Sequence, residues 1–181
     1  MEYLDKLIGL IRDPGAIVEW AGYPGLALII FVETGALIFF LPGDSLLFMA
    51  GLYAGKGDLN LLLLQVILIP CAILGDATSY YIGTRTGPAI FNRPESRFFK
   101  PAHLKAAHEF YERHGGKAII LARFMPIVRT FVPVVAGAAQ MPYARFAIYN
   151  IVGGASWVSS MTLLGYLLAN WAERHNFPID K

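Results

Sequence analysis

Apolar residues run in four long blocks along this chain, and the block lengths predict an all-α integral membrane protein. Leu59 to Ile82 and Tyr143 to Trp171 each exceed the roughly 20 residues that a membrane-spanning helix needs. The other two blocks, Pro24 to Gly55 and Ala118 to Met141, are long but interrupted, one by Pro42-Gly43 and the other by Pro126. A proline within a helix removes a hydrogen bond and collides with the preceding turn, so each of these blocks predicts a broken hairpin. The resulting order is hairpin one over 24–55, span one over 59–84, a polar connector over 85–116, hairpin two over 117–141 and span two over 142–172. Upstream, Leu4, Leu7, Ile8 and Ile11 share a helical face opposite Asp5, Lys6 and Arg12, before Asp13-Pro14-Gly15. That predicts an amphipathic helix over 2–13 lying in the membrane interface. In the connector, Pro101 to His114 reads as a second amphipathic helix, with Leu104, Ala107 and Tyr111 on one face and Gly115-Gly116 closing it.

Each half is thus a hairpin followed by one span. Both hairpins end in a small pair, Ala50-Gly51 and Ala136-Gly137, and both spans carry internal glycines, Gly75 and Gly153-Gly154. If the halves are related, the span between them inverts the second relative to the first, giving two inverted halves with re-entrant hairpins in one domain, 1–181. A hairpin returns to its own side, so both termini share a side and the connector faces the other. The connector carries Arg85, Arg93, Arg97, Lys100, Lys105 and Arg113, with Lys117 at its edge, which votes for a cytoplasmic location of that segment.

Composition agrees with a membrane protein. Of 181 residues, 56% are hydrophobic and only 15% charged, and the mean hydropathy is +0.51, too little polar surface to coat a soluble domain. The formal net charge of +2 and the lack of a basic tail give no reason to expect nucleic acid. The first residues are acidic where a secretory signal carries basic ones. One cysteine, Cys71, allows no intramolecular disulfide and reads as a buried thiol.

The candidate chemistry lies in charges embedded among apolar residues: Glu33, Asp44, Asp76, Arg123 and Arg129. A charge at membrane depth is costly and a broken helix leaves backbone groups unpaired, so such segments line a polar cavity rather than face lipid. Glu33 and Asp44 flank the Pro42-Gly43 break, and the two arginines bracket Pro126. A guanidinium is a planar fork of donors suited to phosphate, which makes Arg123 and Arg129 the substrate-binding candidates. A desolvated carboxylate favours its neutral form and exchanges a proton, which makes Glu33 and Asp44 the proton-coupling candidates. Asp76, Pro42, Gly43 and Pro126 would support the site. The alternative is a buried structural ion network.

Asp76, Ser79, Tyr80 and Gly83 share a helical face, where packing accounts for the serine and tyrosine but function is the better reading for Asp76. Asn150, Gly154, Trp157, Met161 and Gly165 share another, read mostly as packing. His103, His108 and His114 are spaced five and six residues apart, unlike the i, i+4 pairs that grip zinc, so no metal or other cofactor is expected. The chain has no Gly-Lys-Ser/Thr phosphate loop, no GxSxG and no Cys-x-x-Cys, so a non-enzymatic role is expected.

With these residues laid out, the chain resembles the DedA family, membrane proteins related to the VTT-domain lipid scramblases. The resemblance runs from about Trp20 to Tyr166 through Glu33-Thr-Gly35, Phe40-Leu-Pro-Gly-Asp44, Gly75-Asp76 with Tyr80 and Gly83, Ala122-Arg-Phe-Met-Pro-Ile-Val-Arg129, Ala136-Gly137, and Phe146 with Asn150 and Trp157. It departs from the family at Thr84, which separates Gly83 from Arg85, and in lacking a further glycine after Gly165. The resemblance implies transport of a lipid phosphate, notably undecaprenyl phosphate, across the bacterial cytoplasmic membrane, coupled to protons. It implies that Glu33, Asp44, Arg123 and Arg129 are the functional charges. A phospholipid such as phosphatidylethanolamine, a small ion or a drug is the alternative cargo; a lipid phosphatase or a non-transporting scaffold is the alternative class. The expected partners are the lipid phosphate and the bilayer, with a homo-oligomer left open.

Overall fold

The computed structural model describes residues 14–35, 43–91 and 117–175, and among them all regular structure is helical. The expected interfacial helix over 2–13, the connector helix from Pro101 to His114, and Pro42 lie outside the described residues. Six helices follow in order: α1 (Pro14–Gly35), α2 (Gly43–Lys56), α3 (Leu61–Phe91), α4 (Lys117–Ala122), α5 (Pro126–Ala138) and α6 (Tyr143–Arg174).

Two of them are long and apolar enough to cross a membrane, Leu61–Gly87 within α3 and Tyr143–Arg174. Their surfaces are the reverse of a soluble protein's. Leu62, Val66 and Leu74 on α3 and Ile148, Ile151, Leu164 and Leu167 on α6 are exposed, while Glu33, Asp76, Arg123, Asn150 and Thr162 are buried. Apolar outside and charged inside is stable only where the surroundings are as apolar as leucine.

The helix boundaries have local causes. α1 starts at Pro14, whose missing N–H is harmless in a first turn. It is therefore helical through residues 14–23, between the expected interfacial helix and hairpin one. At Gly22, φ 54° and ψ −154° break it, a conformation glycine adopts without a Cβ clash. The second piece, Gly22–Gly35, is a shorter apolar helix within the block expected to form hairpin one. Asn60 caps α3: its Oδ1 accepts from Leu63 N at 3.0 Å, while its own N–H donates to Tyr23 Oη at 2.7 Å. Pro126 starts α5 after a turn over Arg123–Met125, so the break expected at Pro126 is present. α5 closes at Gln140, which takes a left-handed φ of 56° as Met141 N donates back to Ala136 O at 3.0 Å. Span one runs past Thr84 to Phe91 because Gly83 and Gly87 sit against α5, at Val134 and Ala138.

The described residues form two compact units, and each long helix contributes a part to each. The first contains 14–31, 43–71 and 155–175. There α2 crosses α6 with no room for side chains: a Cβ on Gly51 would strike Thr162 O, and one on Gly165 would strike Phe48 O. A polar clamp also joins α3 to α6, with Gln65 Nε2 donating to Thr162 Oγ1 at 2.6 Å and Ser159 Oγ donating to Gln65 Oε1 at 2.8 Å.

The second unit contains 32–35, 72–91 and 117–154. Here α5 crosses α3 in the same way: a Cβ on Gly137 would strike Tyr80 O, and one on Gly83 would strike Val134 O. In both units each glycine meets the carbonyl three residues ahead of the other helix's glycine. Its core holds Tyr80, Ile119, Ala136, Met141 and Phe146, with the rings of Tyr80 and Phe146 stacked at 4.6 Å.

Candidate functional site: a charged cavity in the second unit

Three elements bring the charges of the second unit together. Glu33 lies in the last turn of α1, and that turn is tied to α3 in two ways. Ser79 Oγ donates to the carbonyls of Thr34 and Gly35, at 2.7 and 3.0 Å, serving helix-end acceptors that would otherwise lack partners. Gly35 also lies against Gly75, where an added Cβ would stand 3.3 Å from the Gly75 Cα. Asp76, one residue beyond, therefore faces the region of Glu33. The turn between α4 and α5 supplies the arginines: Arg123 opens the turn and Arg129 follows in the first turns of α5.

The four charges pair across this junction. Arg129 Nη2 contacts Glu33 Oε1 at 2.6 Å, and Arg123 forms an ion pair with Asp76. With Thr34 and Thr130 they line one cavity of about 240 Å³, counting the space at its mouth. All its lining residues belong to the second unit.

Asp44 has a different setting. It lies in the first turn of α2, in the first unit, and is not among the residues lining this cavity. Its Oδ1 accepts from Trp157 Nε1 at 2.7 Å, and Trp157 is wholly buried. Gly43 is the first residue of α2 and is buried. The structure thus gathers Glu33, Asp76, Arg123 and Arg129 and gives Asp44 a partner of its own. Trp157→Phe keeps an aromatic ring and deletes the donor. The expected loss is about 1–3 kcal/mol of stability, read by thermal unfolding in detergent, with Asp44→Asn adding little in that background. Fully additive losses would show that the two side chains do not act through this bond.

Two residues read from the sequence as packing have polar work. Asn150 accepts from Arg123 through Oδ1, and Trp157 holds Asp44. The available signal was the residue type itself, an amide or indole N–H at mid-span, where a polar group needs a partner. Among the described residues no group of three or more His, Cys, Asp or Glu is placed to hold a metal ion.

Long lipid-facing helices around buried, paired charges define a helical membrane protein with an internal polar cavity. The chain belongs to the VTT-domain, or DedA, family, whose domain matches residues 37–167. Protein DedA of Escherichia coli is 50% identical over 147 residues, covering 80% of this chain and 67% of DedA. A protein of Mycobacterium leprae described as an uncharacterized membrane protein is 48% identical over 157 residues, 87% of this chain and 71% of its own. Inner membrane protein YqjA of Escherichia coli is 37% identical over 147 residues, 79% of this chain and 66% of YqjA. No solved structure matches the chain.

Proposed function

We propose that this protein carries a lipid phosphate, undecaprenyl phosphate in the first instance, across the bacterial cytoplasmic membrane, with protons coupled to the movement. The observation that carries the reading is the Arg129–Glu33 ion pair inside a small cavity that also holds Arg123. Arg123 and Arg129 bind the phosphate, Glu33 and Asp44 take up and release protons, and Asp76 balances Arg123. A phosphate that reaches Arg129 must displace Glu33. Protonating Glu33 removes the competing charge, so proton and phosphate binding favour one another, and by linkage each strengthens the other equally.

Pro126, which opens α5 after the turn that carries Arg123, shapes the pocket, and the short arms are read as re-entrant. At 1.5 Å per residue, α2 and α5 are about 20 Å long, short of the roughly 30 Å hydrocarbon core, which supports arms that enter and return. The glycine crossing present in both units supports descent from two related, inverted halves in one multi-pass domain. The proposal involves no covalent step, since paired arginines and carboxylates suffice to bind and release an anion.

The test is flipping of a phosphorylated polyprenyl lipid by protein reconstituted in vesicles. Wild-type transport is expected to rise as pH falls through the range in which Glu33 takes up its proton, with Arg129, Arg123 and Asp76 the charges around it. Glu33→Gln should flatten that dependence and Asp44→Asn should reshape it. Arg129→Lys keeps the charge but loses the fork, and should still lower transport, by roughly tenfold or more. A phospholipid offered in place of the polyprenyl phosphate reads the alternative cargo. No flipping by wild type would favour the scaffold, and full activity of Arg129→Lys would remove direct phosphate recognition.

A further inference from the structure

Asn150 is buried at 2% exposure in an apolar run of α6 and uses both ends of its amide. Its Oδ1 accepts from Arg123 Nη2, and its Nδ2 donates to the main-chain carbonyl of Ile73 on α3 at 3.0 Å. A guanidinium can only donate and a carbonyl can only accept, so one orientation of the amide satisfies both partners. The next turn of α6 leaves space for the same arginine. A Cβ on Gly153 would stand 3.4 Å from Arg123 Cγ and Nε, and one on Gly154 would stand 3.7 Å from Cζ. Arg123 therefore lies against bare backbone, with Asn150 and Asp76 both engaging its Nη2.

We infer that Asn150 is a positioning residue for Arg123, fixing the plane of its guanidinium at the cavity wall through a bridge to the α3 backbone. Asp76 supplies the balancing charge at the same Nη2. The amide supplies direction, because its acceptor is held by the bond its other end makes to Ile73 O. Arg129 donates through Nη2 to the Glu33 carboxylate on α1, a partner on a different element from the amide that holds Arg123. The consequence for phosphate binding rests on the function proposed above, whereas the geometry does not.

The experiment is ¹⁵N–¹H spectroscopy of the arginine Nε–H groups in the full chain in detergent micelles, with inorganic phosphate titrated afterwards. Wild type is expected to give a sharp, slowly exchanging Arg123 signal. Asn150→Leu, of similar size and without polar atoms, should broaden or lose it while leaving the Arg129 signal in place. Asn150→Asp keeps the acceptor for Arg123 but deletes the donor to Ile73 O, so the Arg123 signal should broaden there too, which keeps the inference testable if the leucine variant does not fold. Phosphate affinity should fall roughly tenfold or more in Asn150→Leu, as expected for losing a bond to a charged group. An Arg123 signal left unaltered in Asn150→Leu or in Asn150→Asp would overturn the positioning role. If wild type binds no phosphate, the transport reading falls while the Arg123 signals still decide the role of Asn150.

Discussion

Gly137→Ala is expected to separate α5 from α3 and to destabilise the protein by about 3 kcal/mol or more, at or beyond the upper end for overpacking. The added Cβ meets the Tyr80 carbonyl oxygen, with Thr84 N close behind at 2.9 Å. These are backbone atoms of a long helix, so no rotamer change relieves the clash. The helices must move apart, losing the close approach that favours dispersion contacts and Cα–H···O contacts between apolar helices in lipid. Gly51→Ala should do the same in the first unit, against Thr162 O, and Gly83→Ala and Gly165→Ala should follow. Gly153→Ala is the control, because its Cβ would make only an ordinary contact, 3.4 Å from the flexible Arg123 side chain. Thermal unfolding in detergent should rank the four crossing glycines well below wild type and Gly153→Ala near it. Wild-type stability in Gly137→Ala would mean that the crossing is looser than the structure has it.

The hydropathy pattern made the two spans and the Pro126 break legible, since each depends on local sequence: a run long enough to cross a bilayer, and a residue that cannot continue a helix. The Gly22 kink was not legible. Glycine permits a positive φ without requiring it, and the helix on either side follows from its own neighbours. The charges could be chosen because an acid or arginine in an apolar run must have a partner, but which partner is a matter of tertiary contact. Thus Asp76, a supporting residue by sequence, directly pairs with Arg123, and Asp44, a proton-coupling candidate by sequence, accepts a bond from Trp157. Asn150 and Trp157 looked like packing because a helical face cannot distinguish a side chain that fills space from one that donates or accepts across it. The small pairs Ala50-Gly51 and Ala136-Gly137 stood out in the sequence, but that each marks a glycine crossing against a long helix depends on tertiary contact.

The largest contrast between structural and functional readings should come from the ion pairs. Side-chain exposures of 5% and 6% for Arg123 and Asp76, and 10% and 3% for Arg129 and Glu33, put these pairs in the buried regime. Removing one partner there leaves a buried charge and is expected to cost about 3–5 kcal/mol, against about 0–1 for a surface pair. Arg129→Met alone, stranding Glu33, should therefore melt far below wild type in detergent. Combining Arg129→Met with Glu33→Gln removes both charges and should recover most of that stability, because a neutral pair escapes the desolvation penalty. The same holds for Arg123→Met with Asp76→Asn, less completely, since Asn150 then loses the donor it accepts from. In a scaffold the stabilised doubles would be interchangeable with wild type. In a transporter they fold and carry nothing, because a site without its arginine cannot hold an anion. Melting and lipid-phosphate flipping measured on the same four proteins separate the two: recovered stability with lost transport supports the carrier, and a Glu33→Gln/Arg129→Met double that flips lipid as wild type does would return these charges to a structural role.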